Sequence, residues 1–349
     1  MAALRGLLVN PTDRRLRAGW RLLVSGVLFL LVSRAVTVLS FGLLGRPSRM
    51  LLEWWVLRGV IVALSATIAV WLARRFLDRR TFGSLGLRLD GVALRDGLAG
   101  FAISAAMLGL FIGVCLAFGV VRIQWTGWTG GVGPALAGLP LWLFGVGLAV
   151  AWSEELALRG YVLQNLGDGI GLTAAVLLSC VLYGAVHMAN PHSTMLSGVL
   201  IAALGYLRVL GWLRTEQLWL AMGMHAGWNF LQGPVLGLSV SGTHTAGLTR
   251  VTTSGPGWFS GGAFGPEAGL AVVPALGLGV LLMHLWTRRR RDTPWTRAAL
   301  EQRPLSRRST VFDPGKDRAG RLPAPCRHHE RDASPGHSGP AAGAGRLGG

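Results

Sequence analysis

Apolar residues in this chain gather into about eight runs of near-span length, each long enough to cross a hydrocarbon core of about 30 Å as a helix. The runs cover 20–44, 54–73, 97–120, 138–165, 172–190, 194–212, 217–236 and 266–286. Inside lipid a backbone must pair its own N–H and C=O groups, so runs of this length read as helices. The expected fold class is therefore all-α, a polytopic transmembrane helix bundle. The composition excludes the alternative of one oversized soluble core. Only 14% of residues are charged, against about a quarter in a typical soluble domain.

Met1 to Arg17 is basic, but the run that follows exceeds a signal-peptide core and lacks a small-residue cleavage site. It reads as the first span. The chain divides into a cytoplasmic N-terminal segment, 1–19, a transmembrane domain, 20–286, and a basic tail, 287–349. The tail is rich in Pro, Gly, Ala and Arg with few large apolar residues, a composition expected to stay disordered.

The formal charge is +18, carried almost wholly by arginine. Arg14, Arg15 and Arg17 precede the first span, and Arg74, Arg75, Arg79 and Arg80 follow the second. Arg208 and Arg214 close the sixth, and Arg288 to Arg291 close the eighth. With an even number of spans these clusters share one side, which the positive-inside rule makes cytoplasmic. Both termini are then expected in the cytoplasm and the protein in the plasma (inner) membrane. Lipid is the expected partner of this charge and nucleic acid is not. Cys115, Cys180 and Cys326 have neither disulfide-framework nor thiolate-site spacing.

Ionisable groups at membrane depth are costly and tend to serve a function. Three segments carry them. The fourth run contains Ser153-Glu154-Glu155-Leu156-Ala157-Leu158-Arg159, the fifth ends Tyr183-Gly184-Ala185-Val186-His187, and the seventh contains His225-Ala226-Gly227-Trp228-Asn229. Glu155 and Arg159 are four apart and can pair on one helix face. Glu154 points about 100° away, free to meet another helix. His225 and Asn229 also share a face. Counting residues from the span ends puts all four candidates around a cavity near mid-membrane, reached most easily from the cytoplasm. A carboxylate beside an imidazole can deprotonate a water and deliver it to a carbonyl. A second imidazole with an amide can hydrogen-bond the oxyanion that forms.

These three motifs, in order on successive apolar helices, resemble the CAAX protease and bacteriocin-processing group, also called the Abi family. Its type II CAAX prenyl endopeptidases are intramembrane enzymes. The resemblance covers roughly 145–235. It implies that Glu154 and His187 activate water and that His225 and Asn229 stabilise the oxyanion. Glu155 and Arg159 match the supporting Glu and Arg, and Tyr183 stands where the family usually has Phe. The implied activity is glutamate-dependent hydrolysis of a peptide bond near the cytoplasmic membrane face, without a cofactor. The substrate would be a peptide or protein, membrane-bound or lipidated; bacteriocin self-immunity is a family role.

Plainer readings exist for each residue. Glu154 and Glu155 could both be structural, and His225 with Asn229 could be interhelical hydrogen-bond glue. His187 alone would be an ordinary interior histidine. Glu154, His187 and His225 could instead hold zinc with an open position for water. A non-catalytic immunity or scaffold protein, or a transporter with the acids as ion relays, is the other class.

Overall fold

The computed structural model describes residues 7–11, 14–46, 52–125, 132–245 and 247–288. The sequence-based tail lies outside them from residue 289 onward, as do Cys326 and most of the basic cluster that follows the last helix.

Eight helical passages account for the runs. They are α1 (Ala18–Leu44), α2 (Leu52–Leu77), α3 (Gly91–Ala117), α4 (Ala137–Ile170), α5 (Leu172–His187), α6 (Met195–Thr215), α7 (Trp219–Phe230, extended by a π turn over Leu231–Val235) and α8 (Val272–Thr287). The chain is an all-α bundle. Five of the passages, α1 to α4 and α6, are long and apolar enough to cross a membrane by themselves. The other three are shorter than the eight-span reading expected. At 16 residues, α5 and α8 reach only about 24 Å at 1.5 Å per residue. The apolar run beyond each goes into turns and loops.

The third helix begins at Gly91, earlier than its apolar run, because Asp90 caps it. The Asp90 carboxylate accepts from the backbone N–H groups of Val92 and Ala93 at 3.0 and 2.9 Å. Among the described residues one two-stranded antiparallel ribbon joins β1 (Val121–Trp125) to β2 (Thr249–Thr253), with Ile123 opposite Val251. It ties the end of α3 to the long loop after α7. That loop reads in the sequence only as Gly-, Ser- and Thr-rich.

Helix α7 is the axis of the bundle: every residue from Leu220 to Phe230 is buried. Small residues allow it to lie against α3. A methyl group on Gly223 would strike the Gly97 backbone, and one on Gly227 would lie 3.0 Å from Phe101 Cα. Helix α1, by contrast, exposes Leu23, Leu30, Leu39 and Leu43 along its outer surface. Such a face suits lipid rather than water.

One end of the bundle is closed by a buried ion cluster. Arg21 and Arg74 bond the two oxygens of Asp78 at 3.0 and 2.8 Å, and Arg21 and Arg80 approach Asp168 at 3.5 and 3.3 Å. Arg74 is only 2% exposed and also donates to Gln164 at 3.0 Å. The sequence places Arg15, Arg74 and Arg80 among free topological charges. In the fold Arg74 and Arg80 neutralise acids that lock the starts and ends of α1, α2 and α4 together, and Arg15 donates to the backbone carbonyl of Asp78 at 3.0 Å. Exposed Arg14, Arg75, Arg79, Arg95 and Arg288 remain at the same end.

Candidate active site

Two π turns, Leu143–Leu148 and Leu156–Val162, flank the α-helical stretch Ala149–Glu155 inside α4. π turns inside helices often mark functional sites. The first lies against α2, where a methyl on Gly59 would sit 3.0 Å from Gly145 Cα. Backbone contact therefore fixes the height of the two glutamates.

The adjacent acids have opposite environments. Glu155 has no exposure, and its carboxylate lies 3.3 Å from Arg159 and 3.9 Å from Arg208. It also accepts from Nδ1 of His225 at 2.8 Å. Arg159 is held in turn by the Gly205 carbonyl at 3.0 Å and lies over the Tyr183 ring. Glu154, with its side chain 31% exposed, turns instead into a cavity of about 190 Å³. This is the division of roles that the helical spacing predicts.

The cavity wall holds all four sequence-predicted site residues: Glu154, His187, His225 and Asn229. Oε2 of Glu154 accepts from the Tyr183 hydroxyl at 3.1 Å and lies 3.8 Å from Nε2 of His225. Among the described residues nothing donates to its Oε1, which leaves that oxygen for a water. His187 is the last residue of α5. Its Nδ1 lies 2.8 Å from the Tyr183 carbonyl, four residues back. A carbonyl only accepts, so Nδ1 carries the proton and Nε2 keeps its lone pair. Asn229, one turn beyond His225 on α7, is 7% exposed.

Residues 136–231 match the model of the Rce1-like family, type II CAAX prenyl endopeptidase Rce1-like. That segment is similar to the type II CAAX prenyl endopeptidases. Neither the curated proteins nor the solved structures compared with the chain give a match. The matched segment runs from α4 to the first residue after α7 and contains every motif residue of the site. The matched segment supplies most of the cavity wall, and α2 and the loop after α7 complete it.

Three further charged residues belong to these surroundings and escaped the sequence reading. Arg208, taken there as a flank of the sixth span, is 5% exposed and donates to the Tyr183 hydroxyl at 2.7 Å. It stands seven residues before the end of α6, so the depth criterion that singles out Glu154 applies to it equally. Arg58 lines the cavity from α2. Glu267, 2% exposed in the turn before α8, lines it too and accepts from Trp228 and Gln232 at 3.2 and 2.8 Å. Among the described residues no group of three or more His, Cys, Asp or Glu is arranged to hold a metal ion.

The cavity does not lead where the residue count put it. Its outer wall is Asn190, in the turn between α5 and α6, with Val240, Ser241 and Thr243 of the loop after α7. Both segments lie at the end opposite the Arg21–Asp78 cluster. The count failed at His187, which it placed well inside a longer span; α5 ends there. The arginine-rich end and the cavity mouth therefore lie at opposite ends of this fold.

Proposed function

We propose that the chain is a glutamate-dependent intramembrane endopeptidase of the plasma membrane. Glu154 and His187 take the proton from a water whose oxygen attacks the scissile carbonyl carbon. Asn229 donates a side-chain N–H to the oxygen of that carbonyl as it gains negative charge, and His225 adds an Nε2–H donor in its doubly protonated form. Collapse of the tetrahedral species breaks the C–N bond, and the proton taken from water passes to the leaving amine. Tyr183, backed by Arg208, holds Glu154 in place through Oε2, and Glu155 orients His225 through Nδ1.

The observation that carries this reading is the split between the two glutamates. Glu155 is fully buried and paired with Arg159 and His225, while Glu154 keeps an oxygen open to a cavity shared with His187. A purely structural pair would have both carboxylates tied. A substrate carrying a lipid would fit a site at membrane depth, and neither cofactor nor nucleic acid is part of the proposal.

The test compares membranes of cells producing the native protein and Glu154→Gln, by quantifying new peptide termini in membrane proteins. Termini present with the native protein and absent with a normally inserted Glu154→Gln support the base assignment. Equal termini in both sink it. Chelator treatment of the purified protein should leave cleavage unchanged; loss restored by zinc would replace the metal-free mechanism with a zinc-dependent one.

A further inference from the structure

We propose that the catalytic cavity is entered from the extracytoplasmic side, so that its substrates are peptide segments at the outer membrane face. They would belong to exported or membrane-anchored proteins rather than cytoplasmic ones. The inference rests on the peptidase reading for the word substrate, but the direction of entry follows from the fold alone.

Hydrogen bonds between chain-distant residues fix the two ends of the bundle. Arg21 at the start of α1 meets Asp78 just past α2 and Asp168 near the end of α4. Arg214 near the end of α6 bonds Thr287 at the end of α8, and Trp286 donates to Asp96 near the start of α3 at 2.9 Å. The backbone N–H of Leu218, before α7, donates to the Gly86 carbonyl at 2.9 Å. All of these lie at one end. The ribbon of β1 and β2, the α5–α6 turn and the loop after α7 lie at the other.

Two buried polar layers separate the cavity from the first end. Directly beneath Glu154 lies the set Tyr183, Arg208, Glu155 and Arg159, each no more than 5% exposed. Below that lies the cluster of Arg21, Arg74, Asp78 and Asp168, with Gln164 bonded to the Leu85 carbonyl at 3.1 Å. A peptide coming from this end would have to displace paired charges in both layers and leave buried ions without partners. Toward the other end the wall is partly open, and its charged members are Arg58, which is exposed, and Glu267, bonded to Trp228 and Gln232. Thr243 is exposed at the rim, and the Ser241 carbonyl accepts from Asn190 at 3.0 Å. At about 190 Å³ the space is smaller than a typical ligand cleft of about 300–1,000 Å³. It admits a short extended segment rather than a folded one.

Charge then sets the side. Exposed Arg14, Arg75, Arg79, Arg88, Arg95 and Arg288 lie at the closed end. The described bases exposed at the open end are Arg46, Arg122 and Arg250, with Arg58 in the cavity wall. The positive-inside rule puts the closed end in the cytoplasm.

The test uses the full chain with Cys326→Ser, so that only buried Cys115 and Cys180 remain, and adds one reporter at a time. Thr243→Cys reports the cavity rim, Arg250→Cys the same end outside the cavity, and Arg75→Cys the closed end. A membrane-impermeant maleimide is applied to intact cells and to inside-out vesicles. The expected result is labelling of Thr243→Cys and Arg250→Cys in intact cells and of Arg75→Cys only in inverted vesicles. Labelling of Arg250→Cys only in inverted vesicles, or of Arg75→Cys in intact cells, overturns the proposal; so does protection of Thr243→Cys where Arg250→Cys reacts. Labelling needs no catalysis, so this outcome is separate from that of Glu154→Gln.

Discussion

His225 donates from Nδ1 to Oε1 of Glu155 across 2.8 Å, and the ring then presents Nε2 to Glu154 at 3.8 Å. The carboxylate that the site hides is what aims the imidazole at the carboxylate it exposes. Glu155→Gln keeps the shape but leaves Arg159 and Arg208 without their counter-charge, so the ring loses its orientation. A misplacement of about 1 Å near reacting atoms can cost about 10²-fold in rate. Cleavage by Glu155→Gln is expected to fall by that order. Glu155→Ala leaves buried arginines uncompensated, a loss of about 3–5 kcal/mol, seen as a lower melting temperature in detergent. Native melting and native cleavage for Glu155→Ala would rule out this orienting role.

Tyr183 bridges Arg208 and Glu154 from a position where the family that the chain resembles usually has Phe. Its hydroxyl accepts from Arg208 at 2.7 Å and donates to Glu154 at 3.1 Å. A hydrogen bond to a charged group contributes about 1.5–3 kcal/mol. Tyr183→Phe should therefore lower kcat by about tenfold or somewhat more, with KM little changed and melting close to native. The steady-state parameters on a cleaved peptide decide it; an unchanged kcat would make the hydroxyl a packing feature only.

The all-α bundle and the helix order were legible in the sequence, as was the convergence of Glu154, His187, His225 and Asn229 on one cavity, but Arg58, Arg208 and Glu267 of the same wall were not. Apolar run length and the 100° step between Glu154 and Glu155 depend only on local geometry. What stayed hidden depends on pairing across the fold. Arg74 and Arg208 look like boundary charges until Asp78 and Glu155 are placed beside them. The cavity mouth was misplaced because residue counting assumes that each apolar run is one straight span. In fact α5 stops at His187, and the apolar stretch after α7 turns back toward the rim. The ribbon of β1 and β2 pairs segments more than a hundred residues apart, which no local periodicity reveals.

Acid should loosen the start of α3 through Asp90. The backbone N–H of Ala93 foremost, with Arg88 and the N–H of Val92 adding to it, holds the Asp90 carboxyl below the ordinary carboxylate range. A folded value below the unfolded one means that the cap stabilises above the unfolded value of about 3.9 and is lost as pH falls through the folded value. Asp90→Ala should cost about 1 kcal/mol at pH 7. The gap between the native and Asp90→Ala melting temperatures should then narrow below about pH 4. A gap that is constant from pH 7 to pH 3 would show that the ionised cap contributes nothing.

The glycine seam between α3 and α7 is expected to be the most sensitive part of the scaffold, because it sets the position of His225 two residues away. A methyl at Gly223 meets the Gly97 backbone, which cannot move without shifting a whole helix. Overpacking of this kind costs about 1–3 kcal/mol where side chains can adjust, and here the obstacle is main chain. Gly223→Ala should lower the melting temperature and abolish cleavage together. Gly113, on the same helix α3 as Gly97, has open space where a methyl would stand, with nothing within 4 Å. Gly113→Ala should therefore be neutral or stabilising by up to about 1 kcal/mol, since alanine restricts the unfolded chain. Parallel melting curves of the two variants separate close packing from a general intolerance of alanine in these helices: equal destabilisation by both would remove the seam from the argument.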